Sequence, residues 1–348
     1  MTATPQVAPP ALAPYTTFRV GGPARRLVVC ATEPELVSCV LDADAAGEPV
    51  LVLGGGSNVL IGDAGFDGTV VLVRTRGLEV DVSACSGAVV TVAAGEDWEA
   101  LVARTVAEEW SGLEALSGIP GSVGASPLQN IGAYGADVSQ TIASVRTLDR
   151  RTGRQATFAN VDCGFGYRSS RFKAEPDRFL VLAVTFQLRL GSLSAPVRYA
   201  ELARVLGVEL GQRVPAADVR EAVLALRSSK GMVLDAADPD TWSAGSFFTN
   251  PILTREQAET LPAGAPRFDQ PDGRVKTSAA WLIEHAGFGK GYGTGRAALS
   301  TKHTLALTNR GRATAADLTS LAAEVRDGVG AVFGITLVPE PLLVNCEL

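Results

Sequence analysis

The chain has 348 residues, 46% of them apolar and 20% charged, and 31 basic against 37 acidic side chains leave a net charge of −6. That length predicts two or three domains with cores of their own, and the lack of low-complexity tracts excludes wholesale disorder. The acidic balance argues against general nucleic-acid binding, no apolar run reaches the ~18–20 residues of a membrane span, and the N-terminus lacks the basic start and apolar stretch of a secretory leader.

In chain order, residues 1–14 are expected to form a flexible arm. Leu27–Ala31 predicts a short strand. Thr32-Glu33-Pro34-Glu35 combines a capping box with a proline in the first helical turn, and Leu36, Val37, Val40 and Leu41 give that helix one apolar face. Gly47 ends it and Val50–Leu53 is the next strand, so a right-handed parallel crossover is expected. Strands follow at Thr69–Val73, Leu78–Val82 and Ala88–Ala94, then a helix from about Asp97 to Glu109. Leu113–Gly135 is too apolar for a linker and too rich in Gly and Pro for a regular element. Strands resume at Ala143–Leu148 and Phe179–Leu188. A helix at Ala216–Arg227 carries Val219, Val223 and Leu226 on one side, between irregular segments Gly191–Gln212 and Ser228–Trp242. A domain boundary is expected within Ser228–Asp240. Beyond it lie helices Lys276–His285 and Thr314–Val329 and strands Thr304–Thr308 and Ile335–Val338.

Several segments carry residues suited to chemistry. Gly54-Gly55-Gly56-Ser57-Asn58 follows a strand, and consecutive glycines let backbone N–H groups converge on phosphate oxygens. It is not G-x-G-x-x-G, because Val59 stands at the last glycine position; read alone it is a plain turn between strand and helix. Ser117-Gly118-Ile119-Pro120-Gly121-Ser122-Val123-Gly124-Ala125-Ser126 and Asn130-Ile131-Gly132-Ala133-Tyr134-Gly135 would let a flat ligand lie close to the backbone. A tightly packed structural loop and a dinucleotide site read them equally well. Arg168 follows Gly164-Phe165-Gly166-Tyr167; its guanidinium suits carboxylate or phosphate, and alone it reads as a surface ion-pair residue. Ser246 stands between Gly245 and Phe247-Phe248. This is not G-x-S-x-G, and by itself it reads as a turn or cap serine. In Val338-Pro339-Glu340-Pro341-Leu342 the prolines hold a carboxylate rigidly, whose pKa would rise if buried; the other reading is an exposed edge glutamate. Gly289–Gly295 is expected to be a loop near the site, with a structural role. Five cysteines without C-x-x-C and two unpaired histidines make zinc and a disulfide framework unlikely, so no metal is expected and a reducing cytoplasm fits.

Together these segments resemble the UDP-N-acetylenolpyruvoylglucosamine reductases. The resemblance is carried by Thr16-Thr17-Phe18-Arg19-Val20-Gly21-Gly22, Gly54–Leu60, Gly118–Gly135, Gly166-Tyr167-Arg168, Gly245–Pro251 and Pro339-Glu340-Pro341, in the family's order. It implies an α+β chain: a vanillyl-alcohol-oxidase-like FAD-binding fold at 15–228, in subdomains of about 15–75 and 76–228, then a smaller substrate domain at 229–335. Residues 336–348 would return as a strand to the active site. It implies non-covalent FAD held by Gly54, Gly55, Gly56, Ser57, Asn58, Ser117, Ile119, Pro120, Gly121, Gly124, Ala125, Asn130, Gly132 and Tyr134. Arg168, Ser246 and Glu340 fall on the catalytic positions. Lys230 and Asn250 match substrate ligands, and Tyr199 resembles the substrate-binding tyrosine of the subclass with an extra loop.

The activity so implied is NADPH-dependent reduction of the enolpyruvyl ether of a UDP-sugar to the lactyl ether of UDP-N-acetylmuramate, in peptidoglycan synthesis. The expected partners are the UDP-sugar and NADPH, with no nucleic acid and no membrane insertion, in a monomeric cytoplasmic protein. Two other readings remain: a flavin oxidase of the same fold acting on a sugar or lactone, and a non-catalytic nucleotide-sugar-binding regulator. The Gly-rich loops contain no histidine for a covalent flavin, and the Arg168, Ser246 and Glu340 set argues against the regulator.

Overall fold

The capping box read at Thr32 forms. In the computed structural model, which describes residues 9–293 and 295–348, Thr32 Oγ1 accepts from the Glu35 N–H and the Glu35 carboxylate accepts from the Thr32 N–H. This starts helix α1 (Glu33–Ala45), which joins strand β1 (Ala24–Cys30) to β2 (Val50–Leu53). Strand β3 (Val59–Ile61) and strand β4 (Phe66–Val73) follow. Strand β4 lies between β1 and β2 and runs parallel to β2, so the expected crossover spans an inserted strand. Next come β5 (Leu78–Ser83), β6 (Gly87–Ala93), α2 (Trp98–Ala107) and the two-residue β7 (Trp110–Ser111).

The stretch 113–135 contains short 3-10 turns and half of a two-residue hairpin, β8 (Gly132–Ala133) with β9 (Ala136–Asp137). Strand β10 (Ile142–Asp149), β11 (Arg154–Ala159), the one-turn α3 (Arg171–Ala174) and the long β12 (Phe179–Leu190) complete an antiparallel sheet ordered β11-β10-β12-β6-β5. Helix α4 (Ala200–Leu206) forms inside the segment expected to be irregular or mixed, and α5 (Ala216–Ser229) follows. Val197, Leu202, Val219 and Val223 bury the face they share.

The remaining elements are β13 (Ile252–Leu253), α6 (Arg255–Glu259), β14 (Phe268–Asp269), β15 (Val275–Lys276), α7 (Ala279–His285), β16 (Ala297–Leu299), β17 (Leu307–Asn309), α8 (Ala315–Phe333) and β18 (Leu342–Val344). Helix α7 starts later than expected, because Lys276 pairs in β15 and Ser278 supplies the cap. The strand expected at Ile335–Val338 does not form. Just past its end an isolated bridge joins Phe248 to Pro339, and a regular strand forms beyond the prolines as β18, which lies parallel to β3. Likewise Gly54–Gly56 leads into a strand, not a helix.

The chain divides into two compact units. The first comprises Ala24–Gly55 and Asp67–Val233. The second comprises the described residues up to Pro23, Gly56–Phe66 and Leu234–Leu348. Both are discontinuous, where the sequence reading drew continuous boundaries, because β3 pairs with β18. Residues 1–8 of the expected arm lie outside the described residues. Residues 11–15 do not behave as an arm: Ala11 bridges Pro23, and Leu12 is fully buried and bonded to Gly22.

In the first unit, Trp98 packs against Phe186 at 6.0 Å between centroids, among Val90, Val92, Leu113 and Val184. In the second, α8 buries Leu318, Leu321, Ala322, Val325 and Val329, and Gly334 in the left-handed region ends it. Asp63, two residues past β3, accepts from the N–H groups of Ala315 and Ala316 at its start. The glycine run beyond α7 lies against this helix through Phe288, and Tyr292 Oη donates to Glu324 at 2.5 Å; Thr294 in that run lies outside the described residues.

An alanine in place of a helix-interior glycine ordinarily adds about 0.5–1 kcal/mol of stability. At Gly328 the sign reverses. A Cβ there would stand 2.4 Å from the Phe288 ring, and overpacking of this kind costs about 1–3 kcal/mol. Thermal unfolding should show Gly328→Ala with a lower midpoint than wild type, and Phe288→Leu combined with it should recover part of the loss.

Candidate functional site

The glycine turn after β2 and the loop after α2 meet through their backbones. A Cβ at Gly55 would stand 2.5 Å from the Cα of Gly121, one at Gly54 would stand 2.2 Å from Ser122 Oγ, and one at Gly124 would stand 2.5 Å from the Ala94 Cβ. Arg74 Nη1 fixes the turn by donating to the Gly54 carbonyl at 2.9 Å. The loop is seated on the start of α2. Trp98 N–H donates to Gly121 O, Val123 N–H to Glu96 O and Gly124 N–H to Ala94 O, at 2.8–3.1 Å. Trp98 Nε1 also donates to Leu116 O at 3.1 Å. Ser117 is buried with its hydroxyl on Glu114 O. The N–H groups of Gly55, Ile119 and Gly121 have no acceptor among the described residues. Donors left open on a surface that admits no side chain suit the phosphates of a dinucleotide, so the loops fit the expected cofactor. Pro120 and Ala125 lie in the same loop.

Farther along, three non-glycine residues occupy the left-handed region: Asn130 (φ 48°), Tyr134 (φ 50°) and Arg168 (φ 51°). Such residues cost about 1–3 kcal/mol each and gather at functional sites. They form one cluster. Arg168 Nη2 donates to Gly132 O at 2.8 Å, and Asn130 Nδ2 donates to Gly166 O at 3.1 Å. Tyr134 meets Tyr199 edge-on at 5.5 Å, and Lys230 Nζ stands 5.8 Å over the Tyr134 ring while pairing with Glu201 at 2.5 Å. Burial pushes the Tyr134 phenol up to about 12.

Arg227 belongs to this cluster, and sequence reasoning missed it as a site residue. A basic residue in the last turn of a helix is ordinarily read as complementing the helix dipole. Its guanidinium instead turns inward. Nη2 donates to Met232 O at 2.8 Å, Nε has no partner, and burial pushes its pKa down to about 10, with Glu99 and Tyr134 acting against the fall.

The second unit holds the other candidates. The Glu340 N–H donates to Phe247 O at 2.8 Å, the Thr249 N–H donates to Val338 O at 3.0 Å, and Phe248 bridges Pro339. Ser246 and Glu340 therefore lie on adjacent antiparallel segments, whose register is set by the buried Phe247 and Phe248. The Ser246 hydroxyl has no hydrogen-bond partner among the described residues and caps no helix. Asn58 joins them, donating from Nδ2 to Glu340 O at 3.3 Å and accepting at its carbonyl from the Leu342 N–H. Asn250 Oδ1 accepts from the Ala279 N–H at the start of α7. Gly56 approaches the chain at Tyr15, where a Cβ would stand 1.9 Å from the carbonyl, and Thr17 N–H donates to Gly56 O at 3.0 Å. Ser57 lies in this turn.

Residues 24–159 match the family described as an FAD binding domain, and residues 238–344 match the C-terminal domain of UDP-N-acetylenolpyruvoylglucosamine reductase. A protein of Cutibacterium acnes named UDP-N-acetylenolpyruvoylglucosamine reductase is 62% identical over 97% of this chain and 90% of its own length. One of Streptomyces coelicolor with the same name is 57% identical over 97% and 90%. The crystal structure of the reductase of that name from Thermus caldophilus superposes with a TM-score of 0.64 at 25% identity, over 97% of this chain and 99% of its own.

The two glycines of the turn should respond differently to substitution. Gly54→Ala clashes with a hydroxyl, and Ser122→Ala in the same chain removes that atom. Gly55→Ala clashes with backbone, so no side-chain change relieves it. Each single variant should unfold at a lower temperature than wild type, by the ~1–3 kcal/mol of an overpacked contact. Only Gly54→Ala should be restored by the second substitution.

Proposed function

The chain belongs to the UDP-N-acetylenolpyruvoylglucosamine reductases, and from that membership we propose that Arg168, Ser246 and Glu340 carry its reaction. The protein is an FAD-dependent oxidoreductase of peptidoglycan synthesis, with a vanillyl-alcohol-oxidase-like flavin fold and a C-terminal domain. It reduces UDP-N-acetyl-3-O-(1-carboxyvinyl)glucosamine to UDP-N-acetylmuramate with NADPH. The flavin is held without a covalent bond by Gly54, Gly55, Gly56, Ser57, Asn58 and the 117–134 stretch. FAD supplies the means of passing hydride from NADPH to the distal carbon of the enolpyruvyl group.

The chain's own residues then deal with charge and with one proton. Negative charge builds on the carbon beside the substrate carboxylate. In the proposed chemistry Arg168 offers a planar fork to that charge and Glu340 a carboxyl group, as preorganised electrostatics requires. Ser246 Oγ–H gives its proton to that carbon. An alcohol is a weak acid, but a carbanion of this kind is basic enough to take the proton. Lys230 and Arg227 offer positive charge to the diphosphate or to NADPH, Tyr199 covers the UDP portion, and Asn250 orients the sugar. What supports this reading is the main-chain pairing of 246–249 with 338–340, which sets Ser246 and Glu340 on adjacent segments.

No described helix is long and apolar enough to cross a membrane. We place the reaction in the cytoplasm and assign it to a monomer.

Two variants test these roles. Arg168→Lys keeps the charge and loses the fork, so substrate reduction should slow by about 10²-fold, the weight of a preorganised donor; near-normal turnover would remove Arg168 from the mechanism. Ser246→Ala should leave NADPH-driven bleaching of the flavin absorbance nearly intact. It should slow the return of colour on adding the enolpyruvyl substrate by ~10²–10⁴-fold, the range for a positioned acid. Stopped-flow absorbance separates the two half-reactions, and return of colour at the wild-type rate in a fully flavinated variant rules Ser246 out as donor.

A further inference from the structure

We propose that Glu99 is a positioning residue for the flavin, acting through the N–H of Gly118. The inference rests on the reading of 117–125 as a flavin-binding loop. A glutamate in the first turn of a helix ordinarily faces solvent and complements the helix dipole. Glu99 has both carboxylate oxygens committed elsewhere. Oε2 accepts from the Gly118 N–H at 2.5 Å, and Oε1 pairs with Arg220 Nη2 of α5 at 2.5 Å. The bonds that seat the loop on Ala94, Glu96 and Trp98 run to Leu116, Gly121, Val123 and Gly124, not to Gly118.

Gly118 has no freedom to move the other way. It sits at φ +73°, and a Cβ there would stand 3.0 Å from Leu224, 3.2 Å from Val233 and 3.3 Å from Arg227 Nε. The peptide entering the loop is thus held between α5 on one side and the Glu99 carboxylate on the other. Immediately downstream are Ile119 and Gly121, whose N–H groups have no acceptor among the described residues. Their direction is set by the peptide before them. Glu99 also supports the charge of the buried Arg227, so one carboxylate on α2 reaches the loop entrance and both arginines of α5. A glutamine keeps the shape but has one acceptor oxygen. It cannot serve Gly118 and Arg220 together, and its amide group meets one of them donor to donor.

The test measures the FAD dissociation constant and the unfolding temperature of the apoprotein for Glu99→Gln. We expect the dissociation constant to rise about tenfold, the weight of one charge-assisted hydrogen bond, with the visible flavin band displaced from its wild-type position. A lower unfolding temperature with an unchanged dissociation constant and an unchanged band assigns Glu99 to stability alone and overturns the inference. Should Glu99→Gln fail to fold, Arg220→Gln frees the carboxylate instead: a raised dissociation constant supports the inference and a wild-type value overturns it. Gly121→Val separates this question from the underlying one. If it loses FAD while Glu99→Gln binds as wild type, the loop reading stands and Glu99 is excluded. If Gly121→Val binds FAD as wild type, the loop is not the flavin's and both ideas fall.

Discussion

A side-chain carbon at position 55 would stand 2.5 Å from the Cα of Gly121, closer than non-bonded carbons approach. Much of the first unit follows from keeping that space empty. The turn after β2 must be glycine, the loop after α2 must present backbone to it, and the loop must be anchored from behind. The anchor is the start of α2, where Trp98 and residues 94–96 take up the loop's peptide groups, and the buried Trp98–Phe186 contact fixes α2 to the long central strand. A pyrophosphate suits this place because what remains open is peptide N–H, and bulk is excluded. The long loop without regular structure is therefore a rigid object whose bonds are local turns and a seat on one helix.

Much of this was legible from sequence, and the exceptions have physical causes. Thr32 and Glu35 announce their helix because a capping box is a local device. The helical period is equally plain in α8, where Leu318, Leu321, Val325 and Val329 line the buried side. The apolar run at Ile335–Val338 reads as a strand by composition, yet Leu337 and Ile335 are buried against the core of the second unit without a ladder forming there. The partner of β3 is β18, at the far end of the chain, and no local pattern encodes that pairing. Helix α4 was hidden because its stability comes from burying Leu202 and Ala203 against α5, not from a strong period of its own. The same limit applies to the site. Glycines and prolines pointed to Gly55, Gly121 and Glu340, whereas Arg227 and Glu99 resemble ordinary helix charges until their neighbours are known.

The second unit solves a different problem. Ser246 and Glu340 lie on neighbouring segments, with no bond between their side chains needed to keep them there. Pairing 246–249 with 338–340 does this through the main chain, with Phe247 and Phe248 buried and the prolines on either side of Glu340 stiffening its segment. Asn58 adds a side-chain bond, and it too falls on the Glu340 main-chain carbonyl.

This chain couples NADPH oxidation to reduction of an enolpyruvyl ether through a bound flavin. The most direct test of that coupling is the anaerobic visible spectrum of the purified protein. The account predicts a yellow protein, bleached by NADPH, whose colour returns on adding UDP-N-acetyl-3-O-(1-carboxyvinyl)glucosamine and not on adding UDP-N-acetylglucosamine. A colourless protein that FAD cannot reconstitute, or a bleached one whose colour the enolpyruvyl substrate does not restore, would contradict it.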